Sequence, residues 1–264
     1  VFTFLPFSAF AATGDIAIDN TNFPDAKFQE YLKQKDTSGD GSLSQAERNA
    51  VTKIEVSDKE ITTLEGIQYF PNLVTLDCSK NQLTSLNLSS NSKLGYLDCG
   101  KNQLTQLTLP NTTYNLESLH CYSNQLTALD IGRFENLKYL SCDANHLGTL
   151  DVTSLNKLIS LRCGEDDLTT LDVTKNPHLE TLICDGNQLT ELDLSSNTAL
   201  RTLSCSNNKL TQLRSNSTDL TRLLCAHNQL SSLDVTQSTA LQELDCGYNY
   251  LTELDVHNNV NLEK

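Results

Sequence analysis

Apolar residues recur along most of this chain at a fixed spacing. From Leu73 onwards the frame L-x-x-L-x-C-x-x-N-x-L returns about every 21 residues, with cysteine where another leucine would serve. Apolar and polar residues alternate within L-x-C, which predicts a short strand that buries the Leu and the Cys and exposes the residue between them. All nine cysteines of the chain lie in this column: Cys78, Cys99, Cys121, Cys142, Cys163, Cys184, Cys205, Cys225 and Cys246.

A leucine-rich frame that repeats at this period is the pattern of a leucine-rich repeat protein. We therefore predict an α/β leucine-rich repeat solenoid, curved, with 21-residue rungs whose first strands form a parallel concave sheet. A second piece, L-[DNT]-[LIV], as in Leu129–Ile131, should form a rougher ladder on the opposite side. A stack of this kind presents a long open surface, and such surfaces are suited to binding.

One inward cysteine per rung argues against disulfide bonds. Neighbouring rungs lie about 4.8 Å apart with their Cβ atoms pointing the same way, whereas a disulfide prefers a Cβ separation of roughly 3.8 Å. The chain has no C-x-x-C pair, so a zinc site is not expected either. The spacing predicts a ladder of reduced, buried thiols that pack as small hydrophobes.

Two polar columns accompany the cysteines. The Asn of the frame recurs in every rung except one, where Asp166 replaces it. Asn at this turn can satisfy backbone groups of its own and adjacent rungs, so we expect a looser rung at Asp166. The second piece carries Asp in register, broken by Arg214; bonding of each Asp to its own turn is favoured over a cation-binding stripe.

The ends of the chain differ from the repeats. Residues 1–11 are apolar and end in Ala9-Phe10-Ala11, which indicates the remnant of a signal peptide; a disordered tail or a buried first strand is the alternative. Residues 12–20 are predicted to be a linker, 21–53 a helical cap, and 54–264 the solenoid. A tenth rung opens at Leu262 without a polar cap, so we expect the solenoid to be truncated at the C-terminus.

Three features resemble the internalin family of surface proteins from Gram-positive bacteria. They are the rung with Cys in a Leu position, the entry segment at 61–73, and Asn22-Phe23-Pro24-Asp25 followed by a helical pattern. The resemblance is to the cysteine-ladder members of the family. It implies an N-terminal EF-hand-like cap, secretion or cell-wall association, and adhesion through a protein or glycoprotein partner.

The segment 36–47 fits the twelve-residue calcium loop of an EF-hand. Its expected ligands stand at loop positions 1, 3, 5, 7 and 12, and Gly41 occupies the turn position 6. A polar turn followed by a capping box from Ser44 to Glu47 is the alternative. Calcium binding would differ from what the resemblance implies, because internalin caps are not expected to depend on calcium. The candidate ligands are Asp36, Ser38, Asp40, Ser42 and Glu47.

Outward residues of the first strands vary from rung to rung, and rungs two to five concentrate aromatic and charged types. Aromatic residues with an Arg are typical of contact hot spots, although Tyr is also common on ordinary strand surfaces. The predicted binding residues are Tyr96, His120, Tyr122, Tyr139, Asp143 and Arg162.

Charge and motifs narrow the class of function. The net charge of −14 disfavours nucleic acid and anionic lipid as partners, and no segment is long and apolar enough for a membrane span. The five histidines lie on separate rungs and no catalytic motif occurs, so we do not expect an enzyme. The sequence favours a secreted or cell-surface, adhesin-like binding module. A non-catalytic region of a larger secreted hydrolase and a structural spacer are the alternatives, and the oligomeric state is left open.

Overall fold

The fold is described from a computed structural model that covers residues 14–111 and 115–263. The expected signal-peptide remnant at 1–11 lies outside these residues. The chain divides into two compact units, one up to Thr112 and one from Thr113. Each unit contains parallel strands from successive rungs, with few helices.

The first unit begins with two short helices, α1 (Ala26–Leu32) and α2 (Gln45–Ala50). Asp25 caps α1 by accepting from the backbone N–H groups of Lys27 and Phe28, and Ser44 with Glu47 forms a capping box on α2. Strand β1 (Ile16–Ala17), inside the interval predicted as a linker, pairs antiparallel with β2 (Ser42–Leu43).

An aromatic cluster forms the core of this N-terminal part. The ring of Phe23 lies 5.9 Å from that of Phe28 and 6.4 Å from that of Phe70, and all three side chains are fully buried. Gly66 allows this packing: its φ is +100°, and a Cβ there would overlap the Phe23 ring. Phe28 of α1 and Phe70 at the start of the repeats therefore both pack against Phe23.

The repeat strands of the first unit form two parallel ladders. The strands are β3 (Lys53–Glu55), β4 (Thr75–Asp77), β5 (Ser85–Asn87), β6 (Tyr96–Asp98) and β7 (Gln106–Thr108). One ladder joins β3, β4 and β6, and the other joins β5 to β7. A 3-10 helix spans Ile67–Tyr69.

The second unit repeats this arrangement over more rungs. Seven strands form one parallel sheet in the order β8, β9, β10, β11, β13, β15 and β16, while β12 pairs with β14 on the other side. The second piece of the frame is therefore a strand in only some rungs of the described chain. The strands are β8 (Ser118–His120), β9 (Tyr139–Ser141), β10 (Ser160–Arg162), β11 (Thr181–Ile183), β12 (Asp193–Leu194), β13 (Thr202–Ser204), β14 (Arg214–Ser215), β15 (Arg222–Leu224) and β16 (Glu243–Asp245).

The cysteine column lies inside, as predicted. Eight of the nine cysteines are buried and Cys246 is partly exposed, and all nine are free thiols. Burial raises the pKa of the Cys225 thiol to about 12, with smaller contributions from Cys246 and Asp245. Because the thiolate is the reactive form, these cysteines serve as packing groups.

The asparagine column joins rungs in the way the sequence predicts. Asn145 donates through Nδ2 to the carbonyl oxygens of Cys121, at 3.1 Å, and Cys142, at 2.7 Å. Its Oδ1 accepts from the backbone N–H of Leu126 at 3.0 Å. Each Asn of this kind therefore replaces backbone hydrogen bonds that a turn would otherwise leave unmade.

A left-handed residue follows each cysteine at the second position. Its φ lies between +52° and +67°, and eight of the nine residues are not glycine. At Ala144 the backbone N–H donates to the carbonyl of Gly164 in the next rung, at 2.8 Å. The column comprises Lys80, Lys101, Ser123, Ala144, Glu165, Gly186, Asn207, His227 and Tyr248.

A second asparagine column, on the far side of the rungs, was not predicted from the sequence. Asn197 donates through Nδ2 to the carbonyls of Val173, at 3.0 Å, and Asn176, at 2.9 Å, while its buried Oδ1 has no partner. The signal is [NS]-x-x-L before the first strand of a rung; in other rungs Phe70, Phe134 and Leu155 hold this position. Its members with such bonds are Asn91, Asn176, Asn197, Ser217, Ser238 and Asn259.

Candidate binding surface

A pocket of about 550 Å³ opens on the outward face of the sheet in the second unit, which we call the strand face. Parallel pairing of β8 to β11 places His120, Ser141, Arg162 and Ile183 in one row across it. The Oγ of Ser118 lies 2.9 Å from Nε2 of His120. The pocket is lined by His120, Tyr122, Ser123, Ser141, Asp143, Ala144, Arg162, Gly164, Glu165, Ile183 and Asp185.

Hydrogen bonds fix the two aspartates of the pocket. Asp143 accepts from Ser141 Oγ at 2.7 Å, and its Oδ2 lies 3.5 Å from Nε of Arg162. Asp185 accepts through Oδ1 from Ser204 Oγ and from the backbone N–H of Ser206, both at 2.7 Å. The serines thus orient both carboxylates, and Asp143 also lies next to the charged side chain of Arg162.

The structure brings together four of the six predicted binding residues: His120, Tyr122, Asp143 and Arg162 all line the pocket. Tyr139 stands on the neighbouring row of the strand face, between Ser118 and Ser160, and its side chain is exposed. Tyr96 is exposed on β6 of the first unit.

Sequence reasoning missed Glu165 and Asp185, which also line this pocket. Both follow an L-x-C strand where the chain turns: Glu165 is the second residue after Cys163, and Asp185 is the first after Cys184. The prediction considered mainly the residue between Leu and Cys. Asp143 had been chosen at the position directly after a cysteine, and the same position two rungs later was the signal that could have found Asp185.

The aspartates of the second piece bond to their own turns, which confirms the favoured interpretation. Asp172 accepts from the backbone N–H of Thr174 at 2.9 Å and from its hydroxyl at 2.7 Å, and these bonds lower the pKa of Asp172. Asp151 and Asp234 make the same pair of contacts with Thr153 and Thr236. Arg214 stands opposite Asp193 in the β12–β14 ladder.

The predicted calcium loop is closed by its own hydrogen bonds. Glu47 Oε1 accepts from the backbone N–H groups of Thr37, at 2.7 Å, and Ser38, at 3.0 Å, while Oε2 accepts from Ser44. Burial alone would raise the pKa of Glu47, but hydrogen bonds from Ser44, Thr37 and Ser38 lower it to about 2. Glu47 therefore closes the loop through hydrogen bonds from both of its ends.

The other expected ligands are also engaged locally. Asp36 accepts from the backbone N–H groups of Gly39 and Gly41, and Asp40 accepts from that of Ser42. Over residues 14–111 and 115–263, no group of three or more His, Cys, Asp or Glu side chains is arranged to hold a metal ion. Calcium binding stays a prediction for this loop, and so does its likeness to an EF-hand.

Asp166, the exception in the asparagine column, is fully buried. Its Oδ1 accepts from the backbone N–H of Asn145 at 3.0 Å, and its Oδ2 has no partner. Burial, with the nearby charges of Asp143 and Asp167, raises the pKa of Asp166 to about 7 against the lowering effect of the Asn145 and Cys142 hydrogen bonds. This rung therefore contains a carboxyl group that titrates near neutral pH.

In the part of the chain that the structure describes, no helix is both long and apolar enough to cross a membrane.

Comparison with known proteins relates this fold to a known family. A family model described as leucine-rich repeats, in two copies, matches residues 177–217. A search of the curated proteins finds no match.

Several solved structures are similar. The functional domain of InlJ from Listeria monocytogenes, whose description includes a cysteine ladder, is 36% identical with a TM-score of 0.87, over 94% of this chain and 55% of that one. The internalin InlF of the same species is 26% identical with a TM-score of 0.74, over 96% and 84%. YopM from Yersinia enterocolitica is 28% identical with a TM-score of 0.61, over 81% and 50%.

The chain thus spans about half the length of the InlJ domain that it resembles. The InlJ domain is described as including a cysteine ladder, and this chain has one cysteine in each of nine successive rungs. The likeness to InlJ covers nearly all of this chain, so it is not confined to a few repeats. The chain belongs to the internalin family of leucine-rich repeat proteins, with the cysteine ladder found in InlJ.

Proposed function

We propose that this chain is an adhesin-like binding module that takes a protein or glycoprotein partner on the strand face of its second unit. The fold is one typical of protein-binding modules, and it presents an open ladder of strands. Secretion or display at a bacterial cell surface is part of the proposal and rests on the family.

One observation carries the choice of face. The pocket of the strand face combines an aromatic ring, a histidine, an arginine and fixed carboxylates, from Tyr122, His120, Arg162 and Asp143. Such mixtures of aromatic and charged groups in a desolvated hollow are typical of binding hot spots. The groove on the opposite side, which Asp172, Asp193 and Arg214 line, has no aromatic residue.

The experiment compares two double variants for binding to a glycan array and to a panel of cultured animal cells. Tyr122→Ala with Tyr139→Ala should keep the fold, because neither ring belongs to the core. It should weaken binding by about 2 kcal/mol or more if these rings are hot spots. Circular dichroism checks that the variant is folded.

The matched control is Thr181→Ala with Thr202→Ala, on the same row of the strand face as Tyr139 but outside the pocket. Ser204 is unsuitable as a control because its hydroxyl holds Asp185. Equal binding by parent, tyrosine variant and control would refute the proposed face and favour a spacer role for the rungs.

A further inference from the structure

Asp166 lies in the turn that forms one edge of the strand-face pocket. Gly164 and Glu165, directly before it, line the pocket, and the carbonyl of Gly164 accepts from the backbone N–H of Ala144, another lining residue, at 2.8 Å. Asp166 Oδ1 accepts from the backbone N–H of Asn145, which follows Ala144, at 3.0 Å. One buried side chain therefore helps to hold two rungs of the pocket together.

The other oxygen of Asp166 occupies a position where the asparagine column supplies a donor. In the next rung, Nδ2 of Asn187 donates to the carbonyl of its own Cys184, at 3.0 Å, and to that of Cys163 in the preceding rung, at 2.8 Å. A protonated carboxyl group has nearly the shape of an amide and can donate one such bond, whereas a carboxylate only accepts. Because Asp166 Oδ2 is buried and has no partner, the folded turn favours the protonated form.

The groups around Asp166 add to the cost of a negative charge. Burial, with the nearby charges of Asp143 and Asp167, raises its pKa to about 7. Among the described residues, no Lys, Arg or His nitrogen lies within 4.0 Å of its carboxylate. The titratable groups around it are Cys142 and Asp143 of the preceding rung and Cys163, Glu165 and Asp167 of its own, and the next rung faces it with the uncharged Asn187.

The backbone of this turn is strained on both sides of Asp166. Glu165 has φ of +56° and Asp167 has φ of +60°, in the left-handed region that side chains with a Cβ rarely adopt. In the next rung the column residue Asn187 has one left-handed neighbour, and that neighbour is a glycine, Gly186. Opening of the turn at 164–168 would relieve this strain, so this turn is suited to open locally.

We propose that Asp166 is a pH-sensitive latch on the edge of the strand-face pocket: its protonated form holds the turn at 164–168 closed, and its ionised form lets that turn open to water. The driving force is solvation, because the opened turn gives the carboxylate the water that the folded turn denies it. The latch should be closed in mildly acidic solution and should open more often as the pH rises through 7. The latch does not depend on the proposed function, whereas its consequence for a partner does: the pocket should hold a partner more firmly at pH 6 than at pH 8.

Native-state amide hydrogen exchange of the ¹⁵N-labelled chain measures the opening of this turn. Protection factors, corrected for the intrinsic pH dependence of exchange, should fall about tenfold between pH 6 and pH 8 at Asn145, Gly148 and Leu168 in the parent. In Asp166→Asn they should not fall, because the amide does not titrate and supplies the missing donor. Low concentrations of urea should leave these protection factors unchanged, since opening of one turn exposes little surface.

His146→Gln is the matched control, because Nδ1 of this histidine lies 3.3 Å from Oδ2 of Asp167 on the surface of the same turn. This variant should keep the pH dependence of the parent. Three results would each overturn the latch: an equal loss of protection in parent and Asp166→Asn, a loss that disappears in His146→Gln, and a loss that varies with urea as global unfolding does.

Binding to the panel of cultured cells at both pH values separates the latch from the proposed function. Weaker binding at pH 8 by the parent, but not by Asp166→Asn, would connect the latch to the pocket. Equal pH dependence of binding in the two proteins would reject that connection. Absence of cell binding at either pH would count against the proposed function, and the exchange data would then decide on the latch by themselves.

Discussion

Restoring the asparagine column at its one exception should stabilise the protein in a pH-dependent way. In every other rung the column residue can donate an amide hydrogen, whereas Asp166 presents a buried Oδ2 without a partner. The carbonyl of Cys142 accepts from Asn145, and that of Cys163 from Asn187, but neither accepts a bond from Asp166. The variant Asp166→Asn would supply that donor and remove a buried charge.

The pKa of Asp166 determines the direction in which stability changes with pH and the pH range over which it changes. Folding raises it from an ordinary 3.8 to about 7, so the native state holds a proton that the unfolded chain has released. The contribution of this group to stability is full below pH 4, falls by about 1.4 kcal/mol per pH unit up to pH 7, and is flat above. Ionising Asp166 in the folded chain therefore costs about 4 kcal/mol in all.

Urea denaturation of parent and variant at pH 5 and pH 8 measures the effect. The stability advantage of Asp166→Asn should grow by about 2–3 kcal/mol between these pH values, because at pH 5 the parent still keeps its proton. Other carboxylates cancel in the difference. An advantage that is the same at both pH values, or a variant that is less stable at pH 8, would refute the reasoning.

A reciprocal variant strengthens the experiment. Asn187→Asp places the same carboxyl in the next rung, where the native amide donates to the carbonyls of Cys163 and Cys184. It should lower stability at pH 8 by several kcal/mol and much less at pH 4. A pH-independent loss would point to packing rather than charge.

Further predictions concern the 36–47 loop, the cysteine column, the second asparagine column and the left-handed residues after the cysteines. Calcium should release heat on binding the 36–47 loop and raise the melting temperature, with most of the effect lost in Glu47→Gln; millimolar calcium that produces neither change would exclude this site. Thiol titration should count nine cysteines in denaturant and few in the folded protein, with Cys246 reacting first; rung-to-rung disulfides in mass spectra would contradict this. Asn197→Ala should cost about 2–3 kcal/mol, because the carbonyls of Val173 and Asn176 lose a buried donor; an unchanged denaturation midpoint would argue against the second column. Lys101→Gly should stabilise by about 0.5 kcal/mol by relieving a left-handed φ, whereas Gly186→Ala should destabilise because its φ is +67° and its Cβ would meet Glu165 Cγ at 3.0 Å.

The repeating part of the fold was predictable because one period fixes several features together. The L-x-C piece gave the strand, its inward Leu and Cys, and the parallel sheet, and the Asn after it gave the bonds between rungs. The sequence predicts a second ladder along the repeats, but the structure forms it in only some rungs. Outside β5, β7, β12 and β14, the L-[DNT]-[LIV] piece forms no strand among the described residues.

The pocket was only partly predictable, because its chemistry depends on which neighbour a side chain meets. Tyr122 and Asp143 were found from their place beside the strand, but Asp185 became part of the site through Ser204 and Ser206 of the next rung. The high pKa of Asp166 likewise follows from full burial, which cannot be inferred from a polar residue at a turn position in the sequence.

The asparagine column also bears on how such a chain can change its length. Within each unit its bonds join a residue to groups of its own rung and of the one before, so duplication or loss of one entire rung replaces each partner by an equivalent one. Recombination between repeats can then lengthen or shorten the protein without inventing new packing. The 22-residue interval before Cys121 and the 20-residue interval before Cys225 leave the three-residue step from Cys to Asn intact. The number of rungs and the order of the surface residues can therefore change during evolution, while the Cys-to-Asn spacing that supports the bonds between rungs stays constant.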